Sequence, residues 1–196
     1  TSIAIVSNKT IAQVANAAKL TAADDINVTA KASEDFVGAA AAGSVGGFGA
    51  LAGGVSAIAL SDVTTAELGG TDVAGGNVNV IADDETHSAM LAGALAASGS
   101  LGFGASIAVV DLNKATTADI AANANVTALG NGGESFDEYT GSGFSSTASG
   151  SGINVLANSG ESDLTLAIAG AAGLDAGVSG VISLELMNVA TVADIG

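Results

Sequence analysis

Few residues in this chain could do chemistry. His87 is the single histidine among 196 residues, cysteine and arginine are absent, and the only basic side chains are Lys9, Lys19, Lys31 and Lys114. That excludes a metal site of His or Cys ligands, a Ser-His-Asp arrangement and thiol catalysis. A lone histidine reads as a residue of an exposed turn. No Gly-rich segment leads into Lys and Ser or Thr in the manner of a phosphate loop. Carboxylates remain. Glu34 with Asp35, Asp83 with Asp84 and Glu85, and Glu161 with Asp163 form three clusters, and clustered carboxylate oxygens are what Ca2+ takes as ligands. A merely solvated acidic edge that resists aggregation is the plainer reading, since no Gly-Gly-x-Gly-x-Asp nonapeptide accompanies them.

The stretch from Leu129 to Ser151 is the other candidate site. It holds Glu134, Asp137 and Glu138 beside Phe136, Tyr139 and Phe144, and rings next to carboxylates suit a glycan or a protein surface. A flexible Gly/Ser loop without a ligand is the plainer reading. Lyase chemistry would need a base among the acids, yet no lysine lies near this stretch in sequence. Paired carboxylates for glycoside hydrolysis stay open on sequence alone, and the expectation is a protein that is not an enzyme. Thr64-Thr65 and Thr116-Thr117 recur, but isolated Thr pairs do not make the continuous array that ice binding needs.

The elements that position these residues repeat. One anchor reads Thr10-Ile11-Ala12, Thr64-Thr65-Ala66, Thr116-Thr117-Ala118 and Thr191-Val192-Ala193. A second reads Ile26-Asn27-Val28-Thr29-Ala30, Val78-Asn79-Val80-Ile81-Ala82 and Ile153-Asn154-Val155-Leu156-Ala157. Ala30 to Ala66, Ala82 to Ala118 and Ala157 to Ala193 are each 36 residues apart. The opposite gaps are 18 (Ala12 to Ala30), 16 (Ala66 to Ala82) and 39 (Ala118 to Ala157), the last enlarged by an insertion over 129–151. Alternation of apolar and polar residues within the second anchor marks half-buried strands. Taking 36 as two turns of about 18 residues, the pattern predicts an all-β parallel β-helix (β-solenoid) with three coils per repeat of about 52 residues. Gly-rich stretches such as Gly43 to Gly54, Gly99 to Gly104 and Gly170 to Gly180 are expected at its corners. Stacking would align the acidic clusters on one edge, with Ca2+ between rungs as a possible cofactor.

Composition fits a narrow interior. Alanine (42) and glycine (28) exceed a third of the chain, aromatics are 3% and proline is absent, so any core is built from small side chains. A net charge of −16 excludes nucleic acid as a main partner and disfavours an anionic membrane surface. Phe36 to Ser61 and Ser88 to Val110 are uncharged and long enough for transmembrane helices. They lack aromatic belts and a usable positive-inside asymmetry, so the expectation is a chain that does not span a membrane. The chain opens at Thr1 with no basic region ahead of an apolar one, and 1–196 reads as one solenoid segment of something longer.

In Gly102-Phe103-Gly104-Ala105-Ser106-Ile107-Ala108-Val109-Val110, then Asn113-Lys114-Ala115-Thr116-Thr117-Ala118-Asp119-Ile120 and Ile153-Asn154-Val155, the sequence resembles the repeats of giant secreted bacterial adhesins, the filamentous-haemagglutinin and leukotoxin-like filamentous adhesin group. The resemblance implies a right-handed β-helical stalk or filament at the bacterial cell surface. Its partners would be neighbouring repeats of the same chain and a host glycan or protein. Two alternatives stand beside it: a glycan- or protein-binding module using the insertion, and a self-assembling sheath or surface-layer subunit. Phe48 and Phe103 in the glycine stretches, and the insertion itself, depart from the family pattern.

Overall fold

The computed structural model describes residues 1–130, 132–139 and 143–196. The elements are β1 (Ser2–Val14), β2 (Lys19–Ala22), β3 (Ile26–Gly46), β4 (Gly49–Leu68), β5 (Thr71–Ala74), β6 (Val78–Ser98), β7 (Leu101–Ile120), β8 (Asn125–Ala128), β9 (Glu134–Tyr139), β10 (Phe144–Gly150), β11 (Ile153–Gly173) and β12 (Ala176–Ile195). Strands β1, β4, β7 and β12 form a first sheet, β2, β5 and β8 a short second one, and β3, β6 and β11 a third. Every neighbouring pair in these three sheets is parallel. The chain visits the sheets in a fixed order, so each repeat adds one strand to each.

The register corrects the expected coil size. Asn27 pairs with Asn79, 52 residues on, and Gly49 with Leu101 at the same interval. Asn79 in turn pairs with Asn154, 75 residues on across the insertion, and Leu101 with Ala176 likewise. A whole repeat is therefore one rung, not three. The shorter gap between anchors is the passage through the short second sheet. The constant gap of 36 is one excursion out along the third sheet, round a two-residue turn such as Gly47-Phe48, and back along the first. The anchors themselves are real, since Ala12, Ala66, Ala118 and Ala193 align across the first sheet and Ala30, Ala82 and Ala157 across the third.

The core explains the composition. Where three sheets meet, Ile26, Val28, Leu68, Val78, Val80 and Ile120 pack together with Leu20 and Val126. Farther out only the first and third sheets remain, holding Ile58, Leu60, Met90, Val110 and Leu112. Beyond those the filling falls to Ala50, Ala52, Ala94 and Ala96. The two long sheets converge, and side chains shrink as the gap closes. At Gly104 a Cβ would lie 2.5 Å from the Gly170 carbonyl oxygen, and at Gly102 2.5 Å from that of Ala172. Most of the expected glycine corners thus lie inside strands, where backbone meets backbone, and only two residues in each stretch form the turn.

The uncharged runs at 36–61 and 88–110 are strands and tight turns in this arrangement. Among the described residues no helix is long and apolar enough to cross a membrane. The insertion contains an antiparallel hairpin, β9 with β10, in place of the Gly/Ser loop that its composition suggests. A Cβ placed on Gly143 would sit 3.7 Å from Glu85 Oε1, so this residue, just ahead of β10, lies beside the outer face of the third sheet. Side-chain amides reinforce the register. Asn79 donates to Asn27 Oδ1 at 2.7 Å, Asn154 to Asn79 Oδ1 at 2.9 Å and Asn188 to Asn113 Oδ1 at 3.0 Å.

Candidate functional site

Between the apolar three-sheet core and the Leu60–Met90 layer, a charged layer crosses the interior. Strand alternation turns Asp62 and Thr64 of β4 inward, and Lys114 and Thr116 of β7 follow them in register one rung on. From the third sheet come Glu34 of β3, Asp84 and Thr86 of β6, and Glu161 of β11, with Glu34, Thr86 and Glu161 aligned. Asp84 is 0% exposed, Asp62 1% and Lys114 2%. Ligand atoms of Glu34, Asp62 and Asp84 all lie within 4.8 Å of one another.

Lysine partly compensates this charge. Lys114 Nζ stands 2.7 Å from Asp84 Oδ1 and 3.2 Å from Glu161 Oε1. Asn8 Nδ2 donates to Glu34 Oε1 at 2.7 Å, the Thr86 hydroxyl to Glu34 Oε2 at 3.3 Å, and the Thr116 hydroxyl to Asp84 Oδ2 at 3.5 Å. Both oxygens of Asp62 and the hydroxyl of Thr64 are buried with no hydrogen-bond partner. Burial pushes the Asp62 carboxyl up to about 7, helped by the neighbouring Asp84 carboxyl, which can share a hydrogen bond only with a protonated Asp62, and by the charges of Asp84 and Glu34. Burial and the Asp84 charge also raise Glu34, opposed by the Asn8 amide and Lys114. The carboxyls form one interacting group, so a titration belongs to the cluster. A separate buried acid, Asp72, sits in the second sheet's ladder between Leu20 and Val126; burial raises it, opposed by the Leu20 backbone amide.

The acids singled out in the sequence divide between two faces. Glu34, Asp84, Glu161 and Asp163 point toward the first sheet, Asp163 accepting a hydrogen bond from Ser88. Asp35, Asp83 and Glu85 occupy the alternate positions on the other face, where Asn158 Nδ2 donates to Asp83 Oδ1 at 2.9 Å. A single acidic edge is thus replaced by an interior cluster and an outer row. His87 lies within β6, not in a turn, its Nε2 2.8 Å from Glu85 Oε1. Glu134, Phe136, Asp137, Glu138, Tyr139 and Phe144 stand on the hairpin strands, and their side chains lie outside the described residues. Thr64 and Thr116 are fully buried, which removes them from any ice-facing array.

Asp62 and Lys114 escape the sequence reading although a signal exists. Both fall two residues before the first anchor's Thr, in equivalent positions of successive repeats, and Asn8 holds that position in the repeat before. The cluster can bind a hard cation or share a proton. At 0–8% exposure its three acids are out of reach of a polysaccharide, so they do not serve as the carboxylate pair of a glycosidase. Comparison of the chain with family models, curated proteins and solved structures gives no match.

Proposed function

We propose that this chain is a structural segment of a β-solenoid filament at the bacterial cell surface, a non-catalytic part of an adhesin. The observation that carries the reading is the register: three parallel sheets, each extended by one in-phase strand per repeat, so that repeats add by simple translation. The sequence resemblance to secreted adhesin repeats points the same way. Because one rung consumes 52 residues for a single strand spacing of about 4.8 Å, the geometry favours a broad filament over a slender spacer. Its flanks would then be wide sheet faces. On the third sheet's outer face Val37, Leu91, Leu95, Leu164, Leu166 and Ile168 are exposed, which suits packing against neighbouring material.

The test has two arms. Duplicating residues 49–100 in tandem should give a folded protein whose smallest dimension by X-ray scattering grows by about 5 Å per added copy. Antibody against the chain should label intact source cells. Labelling only after lysis would overturn the surface assignment, and an added copy that leaves the dimensions unchanged would overturn the stacking.

A further inference from the structure

We propose that Glu34, Asp62 and Asp84 hold a hard divalent cation of calcium's size between the first and third sheets. Three strands bring these acids together, β3, β4 and β6, and no two are close in sequence. Oxygens on opposite sides of Ca2+ stand about 4.6–5.2 Å apart, given bonds of 2.3–2.6 Å, whereas Mg2+ at about 2.1 Å draws them to about 4.2 Å. All pairs lie within 4.8 Å, a bound that admits both ions, and the burial of the three acids favours Ca2+, since Mg2+ keeps several of its waters.

The independent sign of a ligand is what the protein leaves unsatisfied. Asp62 is 1% exposed, its carboxylate belongs to the mutually close set, and neither of its oxygens meets a donor. Thr64, at the next inward position of the same strand and wholly buried, has a hydroxyl with no partner. Its counterpart one rung on, Thr116, spends its hydroxyl on Asp84. Buried polar groups are ordinarily satisfied, so an ionised Asp62 within the mutually close set calls for a group that supplies positive charge. Lys114 supplies only part. Its ammonium lies between Asp84 and Glu161, leaving Glu34 and Asp62 facing one another, with the Asn8 and Thr86 side chains donating to Glu34. Four carboxylates against one ammonium leave room for a divalent ion without reversing the local charge. Thr64, Thr86 and the second carboxylate oxygens can fill further positions of a shell that takes six to eight oxygens. Glu34 belongs to the first strand of its sheet and is 8% exposed, which gives the ion a way in.

Calcium chloride alone, titrated calorimetrically into the chelator-stripped full chain at pH 8, should bind at one ion per chain. At about 1 mM it should raise the melting temperature by roughly 5 °C. Asp62→Asn and Glu34→Gln, both near-isosteric, should each weaken binding at least about tenfold and abolish the melting shift. Asp62→Asn also removes an unsatisfied charge, so it is expected to fold, and Glu34→Gln provides an independent reading. No heat and no thermal shift at about 5 mM calcium, or unchanged binding in both variants, would overturn the proposal.

Discussion

Raising the pH from 5 to 8 in the presence of a chelator should destabilise this protein beyond what general charge repulsion would do. The cause is Asp62. Facing it are Glu34 from β3, Asp84 from β6, Lys114 from β7 and, beyond the lysine, Glu161 from β11. Its carboxyl is pushed up to about 7 in the fold, against about 3.9 in the unfolded chain. Between those values the folded state keeps a proton that the unfolded state has released, so stability is greatest at the acid end and falls as pH rises toward 7. The slope is about 1.4 kcal/mol per pH unit, so the two units from 5 to 7 remove roughly 3 kcal/mol, after which the curve flattens. For a chain of this length that is a drop of roughly 6–12 °C in melting temperature. Glu34 and Asp72, both raised, act in the same direction. Thermal melts followed by circular dichroism at half-unit steps would read the curve. Asp62→Asn separates this effect from general repulsion at a net charge of −16: its advantage over the parent should be about 1.5 kcal/mol at pH 5 and grow to roughly 4 kcal/mol at pH 8, and the variant should lose most of the slope. A parent whose stability is flat or rising from pH 5 to 8, or a variant with the parent's slope, would refute the reasoning.

Two further outcomes follow from the packing. Asp72→Val restores an apolar ladder with Leu20 and Val126 and should stabilise by about 1–3 kcal/mol in urea unfolding, since a buried acid with no side-chain donor is removed. Gly104→Ala places a methyl 2.5 Å from the Gly170 carbonyl oxygen; forcing the two long sheets apart should cost about 1–3 kcal/mol or more, seen as a lower urea midpoint with an unchanged slope.

Strand character and the repeat period were legible in the sequence because β-branched alternation and aligned alanines survive in every copy. Coil size was not. A short interval and another twice as long fit three equal coils as well as one short crossing plus one long excursion, and only the pairing of Ile26 with Val78 separates them. Glu34 and Asp84 stand out in the sequence as cation ligands, but so do Asp35, Asp83 and Glu85, because runs of adjacent acids do not reveal which member points inward until the register is fixed. Asp62 and Lys114 stay hidden because opposite charges in equivalent positions do not look like a repeat. The glycines mislead for a related reason: a residue chosen for a sharp bend and one chosen for backbone contact between converging sheets look the same in sequence.

Pairing at such long range also governs how the chain acquires its structure. No long strand can pair with its sequence neighbour in a sheet. The first two rungs must therefore close loops of 52 residues, as between Asn27 and Asn79, or 54 residues, as between Gln13 and Glu67, before any ladder bond is gained. That places a slow, entropically costly step at the start. Once one rung exists, the next long strand meets a finished edge with its alanine, asparagine and threonine positions already displayed. Folding then becomes growth from a seed, with each rung the template for its successor.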